Sequence, residues 1–296
     1  MQMTAWHVAL LVFLLSPWII AIFRTKPAAL CLAALAVAAL PPAIAHFRFI
    51  TAVLALVIVI KTLQAAAGHE KPQGYFDFVM FLVMPVVASW DAPKRTDVAR
   101  ATRSALLGIV QIVAGTLISR ATVELKEWQV AYVVLFQIEL YLIAAGAFNF
   151  FVAPIALRGI SYMDPFRSPF FARSPGEFWS QRWNTWVSHL LYRYVFLPIG
   201  GIRNPVRGVF ASFAVSGLVH EAVFGFVAGH LTGWMMMYFL TQASLVLLTS
   251  NIRVFRRLTR RMPSVCWVLT MMIMLATGSM FVHGVDLALA KDTAPN

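Results

Sequence analysis

Apolar runs of roughly 20 residues follow one another along most of this chain, and each is long enough to cross a bilayer as a helix. They fall at about 5–23, 28–45, 49–67, 75–90, 104–121, 129–157, 207–228, 232–250 and 264–284. In hydrocarbon every backbone N–H and C=O needs a partner, which a helix supplies within its own segment. The expected fold is therefore an all-α integral membrane protein of about nine transmembrane helices. Composition agrees: 60% of residues are hydrophobic, 12% are charged and the mean hydropathy is +0.76. A soluble domain carries about 25% charged residues.

The first run has no basic segment before Ala5–Phe23 and no small-residue cleavage site after it, so it reads as a retained span. No internal repeat or low-complexity tract interrupts the chain. One multi-pass domain over 1–296 is the simplest organisation, with the informative motifs at about 165–250. Cys31 and Cys266 lie in separate apolar runs, without the spacing of a disulfide framework or a zinc site.

The net charge of +12 comes from arginines scattered through short loops. That is the pattern of orientation signals and lipid-phosphate contacts, and it argues against a nucleic-acid partner. A shorter apolar patch at 186–199 decides the topology. If it does not cross and the amino terminus is cytoplasmic, most of the 24 Lys and Arg fall on the cytoplasmic side, with Arg24 and Lys26 opposed. If it crosses, that bias collapses. The expectation is a cytoplasmic, partly re-entrant segment around 174–199, enclosed by protein or a water-filled cavity.

Two stretches in this region carry chemistry. In the first, Ser174 and Glu177 have capping-box spacing and Pro175 stands at the first helical position. A helix started there puts Glu177, Gln181, Asn184 and Ser188 on one stripe and Trp179, Trp183, Trp186 and Leu190 on the other. Such a helix either lies in the interface or turns its polar face into a cavity. In the second, Ser212, Ser216 and His220 mark one stripe of an otherwise apolar span, with Glu221 beside the histidine. Ionisable groups at this depth are costly and need a partner or a task. Position 224 is Phe, so no HExxH zinc helix is present, and Ser216 has no GxSxG elbow around it. Neither a metal nor a serine nucleophile is expected.

The residues Ser168-Pro169-Phe170-Phe171-Ala172-Arg173-Ser174, then Glu177-Phe178-Trp179 and Arg182-Trp183-Asn184, and 36 positions after Asn184 the His220 of Ser216-Gly217-Leu218-Val219-His220-Glu221, resemble the signature of the wax synthase-like membrane-bound O-acyltransferases. The likeness is clear over roughly 165–225, and departs where Ser180-Gln181 replaces a frequent Gly-Arg pair. The resemblance implies transfer of a fatty acyl group from acyl-CoA to a hydroxyl acceptor. A long-chain alcohol giving a wax ester is the first choice of acceptor. A sterol, glycerolipid or glycan acceptor, or a non-enzymatic transporter or scaffold, are the alternatives.

By the same resemblance His220 is the general base and Asn184 orients the donor or polarises its carbonyl. Ser216, Gln181 and Glu221 would support them. Glu221 points about 100° from His220, toward a neighbouring helix. Arg167, Arg173 and Arg182, with Trp179 and Trp183, would hold acyl-CoA, against the plainer reading of headgroup contact for the arginines. No cofactor is expected beyond acyl-CoA as co-substrate. The implied setting is a multi-pass protein of a bacterial inner membrane or endoplasmic-reticulum-type membrane, in contact with membrane lipids.

Overall fold

The computed structural model describes residues 95–252 and 261–289, with scattered positions between 49 and 88 and at 255, 258 and 259. Among the described residues the chain is helical, apart from an isolated antiparallel bridge between Ala88 and Tyr162. The helices are α1 (Val98–Glu124), α2 (Gln129–Leu157), the short α3 (Pro175–Glu177) and α4 (Thr185–Leu191), then α5 (Pro205–Ala228), α6 (Trp234–Asn251) and α7 (Pro263–Leu289). Four of these are long and apolar enough to cross a membrane: α1, α2, α5 and α7. The expected spans at 5–23 and 28–45 lie outside the described residues, and those at 49–67 and 75–90 are described only at scattered positions.

Local chemistry sets the helix boundaries. Asp97 caps α1, its Oδ1 accepting the Arg100 N–H at 2.9 Å. Asn204 does the same for α5 through the Arg207 N–H at 3.1 Å, ahead of Pro205 at the first helical position. Gly229, at φ 76°, ends α5 in the left-handed conformation that an ordinary side chain resists.

Small residues let the helices approach where lipid offers no hydrophobic drive between them. A Cβ on Gly108 of α1 would lie 2.5 Å from the Phe150 backbone nitrogen of α2, and one on Gly146 would lie 2.9 Å from that of Ile112. On the same seam Asn149 donates to Gln111 Oε1 at 2.8 Å, so two costly amides satisfy one another. At the far end of α2, Tyr132 donates to Asp286 of α7 at 2.6 Å.

The connection from α2 to α5 holds no helix long enough to cross a membrane. Thr185–Leu191 and the wider π-turn Tyr192–Phe196 rise roughly 18 Å together, against a hydrocarbon core of about 30 Å. The single amphipathic helix expected from Ser174 onward is not what forms. Ser174 Oγ does accept the Glu177 N–H at 3.0 Å and Pro175 does open the helix. After one turn, however, Phe178–Arg182 widens into a π-turn, Trp183 is extended and Asn184 is left-handed at φ 46°. The polar stripe Glu177–Gln181–Asn184–Ser188 is therefore broken between Gln181 and Asn184.

The cause lies upstream. The irregular run 164–168 holds 182–185 out of helical geometry: Arg167 N–H donates to Arg182 O at 2.8 Å and Thr185 N–H to Pro165 O at 3.0 Å. Thr185 Oγ1 adds a bond to Asp164 O at 3.0 Å. Asn tolerates the left-handed conformation that results, and its Oδ1 caps the restarted helix by accepting the Val187 N–H at 3.3 Å.

Candidate active site

His220 sits on α5 one turn beyond Ser216. Its Nδ1 lies 2.8 Å from the Ser216 carbonyl oxygen. A carbonyl only accepts, so Nδ1 carries the hydrogen in this bond and the neutral ring keeps its lone pair on Nε2. The ring packs against Phe239 of α6, centroids 4.4 Å apart, and more distantly against Phe281 of α7 at 6.5 Å. Among the described residues the imidazole is thus held by one hydrogen bond and two apolar rings, and Nε2 has no partner.

Glu221, the next residue, points elsewhere. Its Oε1 accepts the Thr232 N–H at 2.5 Å, the Gly233 N–H at 2.6 Å and the Thr232 hydroxyl at 3.2 Å. Its Oε2 accepts the Met235 N–H at 3.1 Å. The carboxylate closes the turn between α5 and α6 and satisfies donors at the start of α6, where negative charge is favourable. His220 and Glu221 form no dyad.

The first motif stretch reaches the same neighbourhood through Trp179. Its Nε1–H donates to Gln242 Oε1 on α6 at 3.1 Å. Its ring packs on Phe213 (5.8 Å), Tyr238 (6.3 Å) and Phe239 (6.0 Å). Phe239 therefore touches both the indole of Trp179 and the imidazole of His220, and joins the two motifs across the sequence gap. Ser188 Oγ–H donates to the Trp179 carbonyl, which folds α4 back onto the same turn. Among the described residues no hydrogen bond joins Asn184 to His220. The Asn184 amide nitrogen has no described protein partner.

The other sequence-derived residues take separate places. Arg182 is engaged with protein: Nε pairs with Glu177 Oε1 at 2.6 Å, and an Nη donates to the carbonyls of Arg167 (3.1 Å) and Ser168 (3.2 Å). Glu177 Oε2 also accepts the Arg173 N–H at 2.8 Å. Trp183 stacks on Phe178 at 5.7 Å and meets Phe166 edge-on at 5.4 Å. Gln181 and the Arg167 and Arg173 side chains are exposed. A hollow of about 320 Å³ beside this segment, lined by Ser174, Gly176, Val246, Thr249, Ser250, Phe255 and Thr259, includes neither Asn184 nor His220.

Sequence reasoning did not single out Phe239, Thr277 or Phe281, which are apolar or weakly polar residues in apolar runs. Gln242 had a signal, an amide at membrane depth. The structure buries it fully, between Trp179 and the Thr277 hydroxyl, to which its Nε2 donates at 2.7 Å. Among the described residues no three His, Cys, Asp or Glu side chains could hold a metal ion together.

Comparison with known proteins gives this arrangement a lineage. A probable long-chain-alcohol O-fatty-acyltransferase 2 of Arabidopsis thaliana is 34% identical over 113 residues, 35% of this chain and 33% of that protein. An acyl-CoA–sterol O-acyltransferase 1 of the same plant is 30% identical over 111 residues, 35% of this chain and 31% of its own. The probable alginate O-acetylase AlgI of Pseudomonas putida is 29% identical over 93 residues, 30% of this chain and 19% of its own. The chain spans about a third or less of the length of these curated relatives. The model of the membrane-bound O-acyltransferase family matches residues 117–283, which takes in both motif stretches, α5, α6 and most of α7. With more than half of its length matched, this multi-pass membrane protein belongs to the membrane-bound O-acyltransferase family.

Proposed function

We propose that the protein transfers a fatty acyl group from acyl-CoA to a hydroxyl acceptor in the membrane, with a long-chain alcohol as acceptor and a wax ester as product. The observation that carries this reading is the hydrogen bond from the His220 imidazole to the Ser216 carbonyl. Nδ1–H is spent on the Ser216 carbonyl, so Nε2 is the nitrogen available to take a proton. The acceptor O–H gives its proton to Nε2 as its oxygen attacks the thioester carbonyl carbon. The Asn184 amide N–H steadies the negative charge that develops on the carbonyl oxygen. The carbon–sulfur bond then breaks, the thiolate takes the proton back from the imidazolium, and ester and free CoA depart.

The remaining residues have supporting parts in this reading. Ser216 orients the imidazole through its carbonyl, and Glu221 holds the α5–α6 turn. Arg182 and Glu177 brace the loop that carries Asn184, and Trp183 packs beneath it. The exposed Arg167 and Arg173, and Gln181 beside them, meet the CoA phosphates at the cytoplasmic mouth. Trp179 forms an apolar wall near the thioester. No metal or further cofactor enters. We place nine crossings in one domain over 1–296, with 158–206 cytoplasmic, on the charge of the loops.

The test is lipid mass spectrometry in a host that makes no neutral lipid, supplied with long-chain alcohols, a sterol and a diacylglycerol. New wax esters that vanish in His220→Ala are expected. Full activity in a monodisperse His220→Ala protein would end the assignment. Sterol esters in place of wax esters would move the acceptor toward that named for the acyl-CoA–sterol O-acyltransferase relative.

A further inference from the structure

We propose that Gln242 is a positioning residue for this reaction, acting on His220 through Trp179 and Phe239. The inference rests on His220 as the base.

The hydrogen-bond chain around Gln242 has only one direction. An indole N–H can only donate, so the Gln242 oxygen must face Trp179. The Thr277 hydroxyl donates to the Ile273 carbonyl at 2.8 Å, which leaves it an acceptor for Gln242 Nε2. The amide cannot turn over without breaking both bonds. It is thereby fixed between α7 and the loop that bears the first motif.

Phe239 and Gln242 are three residues apart on α6 and share a face. One grips the Trp179 indole by its N–H and the other by its ring. Trp179 lies in the π-turn Phe178–Arg182, outside any long helix, and its indole N–H has Gln242 as its partner. Without that bond the ring contacts with Phe178, Phe213, Tyr238 and Phe239 remain, and these fix the tilt of the indole less closely than a directed hydrogen bond does. Phe239, which touches both rings, then loses the fixed position of one of its neighbours. Among the described residues the Ser216 carbonyl, Phe239 and Phe281 set the tilt of the imidazole. A fully buried glutamine in an apolar helix has a task here, since a leucine in its place would leave the Trp179 N–H without this acceptor.

Misplacing a reacting group by about 1 Å costs up to roughly 100-fold in rate. Gln242→Leu should therefore lower kcat about tenfold or more while the KM for acyl-CoA stays within about twofold. Trp179→Phe, which removes the N–H and keeps a ring, should lose a similar factor. The double variant should lose little more than either single one, because both break the same link.

A second readout does not depend on turnover: the rate at which diethyl pyrocarbonate modifies His220, followed by peptide mass spectrometry. It should change in both single variants. Wild-type kcat and modification rate in folded Gln242→Leu would overturn the inference, as would strictly additive losses in the double variant. If Gln242→Leu does not fold, Trp179→Phe alone decides by the same two measurements. An active His220→Ala would instead remove the assigned base, a distinct failure, and the modification rate would still report how the ring is seated.

Discussion

The imidazole of His220 and the ring of Phe239 lie 4.4 Å apart, tilted at 43°. No other ring comes as close to the histidine among the described residues. Phe239→Leu keeps the site apolar but removes the flat surface against which the imidazole rests. We expect kcat to fall by about tenfold, with a smaller change in KM, because the loss is one of orientation. Steady-state kinetics on purified protein would check it, and an unchanged kcat would mean that the Ser216 carbonyl alone suffices.

Glu221 should behave differently from its neighbour. Glu221→Ala leaves the N–H groups of Thr232, Gly233 and Met235 without their acceptor. Charge-assisted hydrogen bonds contribute about 1.5–3 kcal/mol each in favourable settings, so a loss of about 2 kcal/mol or more is expected. The measurement is thermal unfolding in detergent. Tm should drop clearly in Glu221→Ala and less in Glu221→Gln, which keeps an acceptor. His220→Ala should leave Tm nearly unchanged.

Arg182 braces the motif loop through three acceptors on residues 167, 168 and 177. A lysine ammonium cannot reproduce the fork that meets a carboxylate and two carbonyls from one plane. In Arg182→Lys the backbone amides of Arg167, Trp183 and Thr185 should exchange hydrogen faster, while those of α1 and α2 keep their protection. Uniform exchange across the protein would show that the brace is unimportant.

Two glycines make a matched pair. At Gly108 a methyl group would meet backbone atoms of α2 at 2.5–2.9 Å, so Gly108→Ala must push two long helices apart. At Gly176 the nearest atom is the Val246 Cγ1 at 3.8 Å, an ordinary contact. Gly108→Ala should lower the yield of monodisperse protein and its Tm, with a cost of roughly 1–3 kcal/mol. Gly176→Ala should be close to neutral in the same assay.

The helical spans expected at 104–121, 129–157, 207–228 and 264–284 were legible because each depends only on local hydropathy, which no distant contact revises. So was the break in register between His220 and Glu221, a property of any helix. The conformation of Asn184 was not legible. Helical periodicity counted straight through it, since Trp183, Asn184 and Thr185 show no Pro or Gly to stop a helix. What stops it is a pair of hydrogen bonds to residues about 15–20 positions upstream, and these exist only once the chain has folded. The Phe239 contact was hidden for another reason. One phenylalanine among many in an apolar helix carries no mark of which ring it will touch.

Synthesis runs from the amino terminus, so α5 is made before the groups that bond its Glu221 carboxylate. Thr232, Gly233 and Met235, which receive the Glu221 charge, all come later in the chain, and so do Phe239 and Phe281. Alone in lipid, α5 would expose an uncompensated carboxylate. A nascent chain halted after Ala228 should therefore remain at the insertion machinery, whereas one extended through Asn251 should pass into the bilayer as a hairpin. Release of the shorter chain into lipid, seen by crosslinking, would contradict this. Were the shorter chain retained, the Glu221 bridge would couple the entry of one helix to the arrival of the next.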